Sequence, residues 1–283
     1  MLHRRLAFWL AVSVAAAGPT ASAGGAASFR FVHLSDTHCI TATRNPRPRF
    51  FLDPMAKNLV ASFSLLEAAV RDVNEHVRPD FLIVTGDLID RPGDIPALRR
   101  AKRILERLHC PWYPVVGNHD GQRAWTEVFG AERLNYTFVR NGWRFIAVDT
   151  SRGGIDAATR AWLTRLLDGD GRTPTAVLTH YPLVLPQAQR AAGRRLYRAD
   201  LVLHGAQAIQ RLLARHGNVR AVFSGHCHVP TAMRVGGIDC QTAPALVTLG
   251  HHYAIVAVEN GALTTTYRAV PLPGVPAPND GPR

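Results

Sequence analysis

Hydrophobic and polar positions along this chain fall into two rhythms. In the first, short apolar runs at residues 29–35, 81–85 and 112–116 alternate with stretches whose apolar positions recur at helical spacing. Residues 59–77 are such a stretch, with Leu59, Phe63, Leu66, Ala69, Val70 and Val73 on one stripe, and residues 95–108 are another. The spacing predicts a short helix near Trp125, strands over 134–139 and 143–149, a helix over 157–167 and a strand over 175–179. A helix over 206–216 and a strand over 219–224 follow. Asn141-Gly142 predicts a tight hairpin turn, and residues 197–204 read as part of a long connection.

The second rhythm begins after residue 230. Strands are predicted at 231–235, 238–242, 253–259 and 262–269, joined by Gly236-Gly237 and Asn260-Gly261. With 283 residues, 47% of them hydrophobic, the chain can bury a substantial core. Neither repeat nor linker divides residues 28–270. Alternating strands and helices followed by hairpins predict one domain of mixed sheets covered by helices. From residue 271 onward, proline, glycine and charge predict a disordered tail.

The chain's beginning reads differently. Arg4 and Arg5 precede an apolar run at 6–17, and Ala21-Ser22-Ala23 has the small residues of a cleavage site, so residues 1–23 are expected to be an export signal. Twelve apolar residues are too few for a bilayer span, which needs about 20. The expectation is a periplasmic or secreted protein with no transmembrane segment. Without Arg4 and Arg5, 31 basic side chains face 21 acidic ones and the formal charge falls from +12 to +10. A basic surface suits a small phosphate-bearing substrate. No Lys/Arg run is interleaved with aromatics, so no specific nucleic-acid partner is expected. Cys39, Cys110, Cys227 and Cys240 could form disulfides in an exported protein, with pairing undetermined by spacing.

Chemistry gathers at the strand ends. Residues 112–116 run into Gly117-Asn118-His119-Asp120. By itself that tetrapeptide would suit an ordinary turn. Four other runs also end in metal-binding residue types: Asp36 and His38, Asp87, His180, and His226 with His228. Ligands in α/β folds collect beyond the carboxyl ends of strands. In an extended segment residues i and i+2 share a side, so Asp36 with His38, and His226 with His228, are expected to chelate together. Seven ligands, Asn118 included, are too many for one ion and suit two with a bridging carboxylate. Mixed imidazole and carboxylate donors favour two divalent or mixed-valence transition metals, Mn, Fe or Zn. Cys39 and Cys227 flank these histidines, but the neighbours already complete a site.

The ordered series Asp-x-His, Gly-Asp-x-x-Asp, Gly-Asn-His-Asp, an isolated His and Gly-His-x-His, across residues 36–228, resembles the calcineurin-like metallophosphoesterase superfamily. The Leu-Ser-Asp-Thr-His start and the compact spacing look most like its bacterial class III cyclic-nucleotide phosphodiesterase group. The resemblance implies two mixed β-sheets packed face to face and flanked by helices, an α/β/β/α sandwich, with the C-terminal strands in the second sheet. It assigns Asp36, His38 and His228 to one ion, Asn118, His180 and His226 to the other, and Asp87 to the bridge. It makes His119 a non-ligand general acid oriented by Asp90, with a metal-bridging hydroxide as nucleophile on a phosphate ester. Arg91, with Asn118, falls where some members hold substrate phosphate.

Asp90 stands where purple acid phosphatases carry a tyrosine ligand, which sets that branch aside. Phosphomonoesterase and nucleotide pyrophosphatase activities of the same superfamily remain alternatives. So does a non-catalytic metal-binding exported protein, although no ligand of the series is missing.

Overall fold

The computed structural model describes residues 28–41, 57–197 and 200–270. The expected export signal at 1–23, the arginine-bearing segment at 42–54 and the expected tail from 271 lie outside the described residues.

Two sheets form the centre. The first has the order β11-β10-β1-β2-β3, with β1 at Phe29–Leu34, β2 at Phe81–Val84, β3 at Trp112–Pro114, β10 at His252–Glu259 and β11 at Ala262–Ala269. In it, β1, β2 and β3 are parallel, while β10 pairs antiparallel with β1 and β11. The second has the order β4-β5-β6-β7-β9-β8, with β4 at Tyr136–Arg140, β5 at Trp143–Ala147, β6 at Thr175–Leu178, β7 at Val219–Ser224, β8 at Thr231–Val235 and β9 at Ile238–Thr242. Here β5, β6, β7 and β9 are parallel and the two edge strands are antiparallel. The C-terminal strands are therefore divided: β8 and β9 join the second sheet, as expected, but β10 and β11 close the first. The side of β1 away from β2 was open to pairing, and β10 satisfies its backbone groups from Phe29↔Val258 to His33↔Ala254.

The central strands β1, β2, β5, β6 and β7 are buried on both faces, which explains their near-continuous apolar runs. Between them, aromatic rings interlock: Phe31 stacks on Phe81 at 4.9 Å and meets Phe223 edge-on at 5.2 Å, and Phe145 meets Phe81 at 5.1 Å. On the far face of the first sheet lie α1 (Ser62–Asp72), α2 (Ile95–Leu105) and α3 (Gln122–Phe129), which bury Leu65, Leu66, Leu98 and Trp125. On the far face of the second lie α4 (Ala157–Gly169) and α6 (Ala206–Ala214), with Leu163, Leu167 and Leu213 inward. The result is the expected four-layer sandwich.

Some boundaries shift for local reasons. The stripe predicted over 59–77 becomes α1 plus a π-helical turn at Val73–Val77, ended by Arg78 in the left-handed region at φ 47°. Asp94 caps α2 by accepting from the Ala97 amide at 3.0 Å. A helix not anticipated from the sequence, α5 (Gln187–Tyr197), occupies part of the long connection. It has no broad apolar stripe, and Arg190 and Arg194 anchor it to Asp200 at 2.7 and 2.9 Å. The four cysteines are free thiols, and burial raises the Cys110 and Cys227 thiols to about 11. Among the described residues no helix is long and apolar enough to cross a membrane.

Candidate metal centre

The carboxyl ends of β1, β2, β3, β6 and β7 meet at the seam between the sheets. They bring together three groups able to hold a cation: Asp36, His38 and His228; Asp87, His180 and His226; and His38, Asp90 and His119, the first and last sharing His38. Asn118 joins the second, its Oδ1 lying 2.8 Å from His180 Nε2. Arg91 is exposed and is not among the residues brought together.

The i, i+2 pairing arises from a different backbone than the extended one expected. Asp36, His38, Asp87, His226 and His228 all lie in the left-handed region, at φ 53°, 43°, 53°, 67° and 60°. Such positions cost about 1–3 kcal/mol each for a residue with a Cβ, and strain of this kind collects at functional sites. Local hydrogen bonds hold it: the Asp36 and His38 amides donate to the carbonyls of Gly86 and Asp87. Thr37 turns away to the Leu88 carbonyl, and Cys227 is buried in the core of the second sheet.

Each carboxylate divides its oxygens between scaffold and site. Asp36 Oδ2 accepts from Ser35 Oγ at 2.5 Å and from the His226 amide at 3.1 Å. A buried chain continues behind it, from Ser35 to Thr85 Oγ1 and on to His33 Nε2. Asp36 Oδ1 has no hydrogen-bond partner and faces His228 Nε2 at 3.4 Å and His38 Nε2 at 3.8 Å. Asp87 Oδ1 accepts from the His119 amide at 2.8 Å. Its Oδ2 lies between the groups, 3.3 Å from His180 Nε2 and 3.7 Å from His38 Nε2.

The electrostatics call for positive charge. Asp36 and Asp87 are completely buried, and burial opposes their ionisation. Even so, His228 and His180 hold Asp36 below the usual carboxylate range, and His180 does the same for Asp87. Burial would lower His180, but Asp87 and Asp36 raise it to about 9, so the two carboxylates favour positive charge where its Nε2 faces Asp87. Burial, with Lys57 second, lowers His38 to about 4, and burial with His180 lowers His226 to about 3. Neutral imidazoles facing buried carboxylates, with an unpartnered Asp36 oxygen among them, are a donor set that fits transition-metal cations. Nδ1 of His180 is tied to the Thr85 carbonyl at 2.7 Å, which leaves Nε2 for the site.

Asp90 differs from its expected role. Its carboxylate lies 4.0 Å from His119 Nδ1, and the bond to that nitrogen comes from the Asp90 main-chain carbonyl at 2.5 Å. The carboxylate instead contacts His38 Nδ1 at 3.2 Å and Lys57 Nζ at 2.8 Å. Lys57 was not singled out in the sequence, because it lies far from every motif.

Asp120 is the other residue whose part emerges only here. Fully buried, it accepts from the amides of Gly117, Asp87 and Ile89 at 2.7, 3.0 and 3.1 Å, joining the loops after β2 and β3. Burial and the charge of Asp87 raise its carboxyl to about 7 against the pull of those amides. Its place directly after His119 was the available signal.

A family model for calcineurin-like phosphoesterases matches residues 29–230, and the chain belongs to that family. It is a metal-dependent phosphoric ester hydrolase. A probable cyclic nucleotide phosphodiesterase of Synechococcus is 28% identical over 213 residues, covering 73% of this chain and 76% of its own. A cAMP/cGMP dual specificity phosphodiesterase of Mycobacterium tuberculosis is 27% identical over 228 residues, covering 76% of this chain and 66% of its own. Among solved structures, a dimetal phosphatase from Danio rerio superposes with a TM-score of 0.68 at 14% identity, covering 87% of this chain and 97% of that one. At that identity the likeness is one of fold.

Proposed function

We propose that the chain hydrolyses phosphodiesters, with cyclic nucleotides as the substrate class, using two transition-metal ions drawn from Mn, Fe or Zn. The observation that carries this is Asp87 Oδ2, which faces both histidine groups from between them. Asp36, His38 and His228 would hold one ion, Asn118, His180 and His226 the other, and Asp87 would serve both. When bound, such a pair neutralises phosphoryl charge and makes water a competent nucleophile near neutral pH.

The chain's own residues supply the rest. His119 donates from Nδ1 to the Asp90 carbonyl, so its ring is fixed and Nε2 is the atom free to carry a proton. With its side chain about one-third exposed beside His38, it can deliver that proton to the departing alkoxide. Asp120 keeps the His119 and Asp87 loops in register. The names of the two relatives support the diester and cyclic-nucleotide reading. The N-terminal sequence supports export to the periplasm or medium, and N-terminal sequencing of native protein should find a start near Gly24.

The test pairs metal analysis with turnover. Wild-type protein should carry two equivalents of transition metal and hydrolyse cyclic nucleotides faster than phosphomonoesters. Asp87→Ala should lose both equivalents. Retention of two equivalents by that variant would defeat the ligand assignment, and faster monoester turnover would defeat the substrate class.

A further inference from the structure

Beside the metal centre, a cleft of about 590 Å³ opens between the turn after β2, the start of α3 and the loop after β5. That volume lies within the roughly 300–1,000 Å³ of small-molecule sites. Asn118 lines it, so one wall is shared with the His180 group. Pro92, Ile95 and Ala124 give it an apolar side.

The opposite side is polar and held in place. Thr150 Oγ1 accepts from the amides of both His180 and Tyr181, at 3.0 and 3.1 Å, fixing the loop after β5 against the centre. The next two residues, Ser151 and Arg152, line the cleft. The Ser151 amide bonds to Asp149, yet its hydroxyl oxygen is buried with no partner. An unpartnered buried hydroxyl is costly and marks a place where a ligand group can satisfy it. Arg152 is exposed, and neither it nor Arg123 has a carboxylate within 4.0 Å among the described residues, whereas Glu127 on the same cleft is taken by Arg99 at 2.8 Å. A cleft lined by Pro92, Ile95 and Ala124 together with Ser151 and Arg152 offers the mixture of apolar surface, cation and hydroxyl that suits a flat heterocycle carried on a sugar.

We infer that this cleft binds the nucleoside of the phosphodiester, with Ser151 and Arg152 as specificity-determining residues. The inference rests on the phosphodiesterase reading but is tested apart from turnover. Calorimetry on metal-loaded full-length protein would compare methylphosphonate with the AMP analogue whose 5′ oxygen is replaced by methylene. The two share an unhydrolysable headgroup and differ in the nucleoside. The analogue should bind wild-type protein about tenfold more tightly, the size of one hydrogen bond to a charged group. Ser151→Ala and Arg152→Ala should each reduce that ratio severalfold. Arg172→Ala, which removes an equal charge from a remote exposed turn, should keep it.

A ratio near one in wild-type protein, or one unchanged in both variants, would overturn the inference. Tighter binding of methylenediphosphonate than of the nucleoside analogue would overturn it in favour of a second-phosphate site. If the ratios behave as expected while cyclic AMP is not hydrolysed, the nucleoside site stands and the substrate class proposed above falls.

Discussion

Gly225, the residue that opens Gly-His-x-His, has an ordinary backbone conformation, so alanine there brings no torsional strain and its effect is purely steric. An added Cβ would overlap Ser35 Oγ and lie 2.6 Å from Asp36 Oδ2 and 3.0 Å from the Thr85 carbonyl. Ordinary contact begins at 3.4 Å, so Asp36 Oδ2 must withdraw by 0.8 Å. A catalytic constellation tolerates displacements of about 0.5 Å. Ser35 cannot yield freely, because it donates to Asp36 and accepts from Thr85 Oγ1 at 2.8 Å. Overpacking costs about 1–3 kcal/mol, and one buried hydrogen bond lost adds about 1 kcal/mol. Gly225→Ala should therefore lose about 3 kcal/mol and melt roughly 6–12 °C lower. Because Asp36 turns its other oxygen to the metal centre, affinity for metal should fall about 10–100-fold. Thermal melts and metal content at buffered free metal measure both effects. Adding Ser35→Ala removes the overlapping hydroxyl and should recover part of the melting temperature. A Gly225→Ala protein that melts within 2 °C of wild type and loads metal normally would refute the steric argument.

His119→Ala should retain both metals while lowering kcat by about 10²–10⁴-fold on nucleoside diesters, with a much smaller defect on bis(4-nitrophenyl) phosphate, whose leaving group needs little protonation. Equal losses would mean that His119 holds phosphate instead of supplying a proton. Asp90→Asn should act mainly through His38, since that is where the carboxylate points, and metal titration should show about 10–100-fold weaker binding. Asp72 ties α1 to the first sheet through Arg268 at 2.6 and 2.7 Å and Tyr253 at 2.5 Å, and its replacement by Ala should cost about 3 kcal/mol in denaturant unfolding, the low end for breaking a buried pair because Arg268 is partly exposed. Burial would raise the Asp72 carboxyl, but Arg268 and Tyr253 hold it below the ordinary range. Its stabilisation is accordingly present at neutral pH and lost as pH falls through that lowered value, so the wild-type advantage over Asp72→Ala should shrink in acid.

What the amino-acid order determined alone was local and periodic. Apolar runs ending in Asp, Asn and His placed the ligand-bearing turns at strand ends, because strand burial and turn chemistry are both written within a few residues. Asn141-Gly142 and Asn260-Gly261 specified hairpins for the same reason, and both pairs adopt the positive φ that such turns require, 49° and 77°, 51° and 80°. Residues 187–197 were not legible as a helix because their anchor, Asp200, lies outside the segment and no apolar stripe announces it. The division of the last four strands between two sheets was equally illegible: β10 reaches β1 across more than 200 residues, and the choice depends on which edge is left open once the parallel strands have formed. Tertiary structure also decided the working geometry of the site. Asp36 and His38 share a side through left-handed backbone held by Gly86 and Asp87, not through strand alternation. Asp90 gives His119 its carbonyl, while its carboxylate lies against His38 and against Lys57, which comes from 33 residues away in sequence. Spacing can name which residues carry the chemistry, but the direction each atom faces depends on charges and hydrogen bonds brought from elsewhere in the chain.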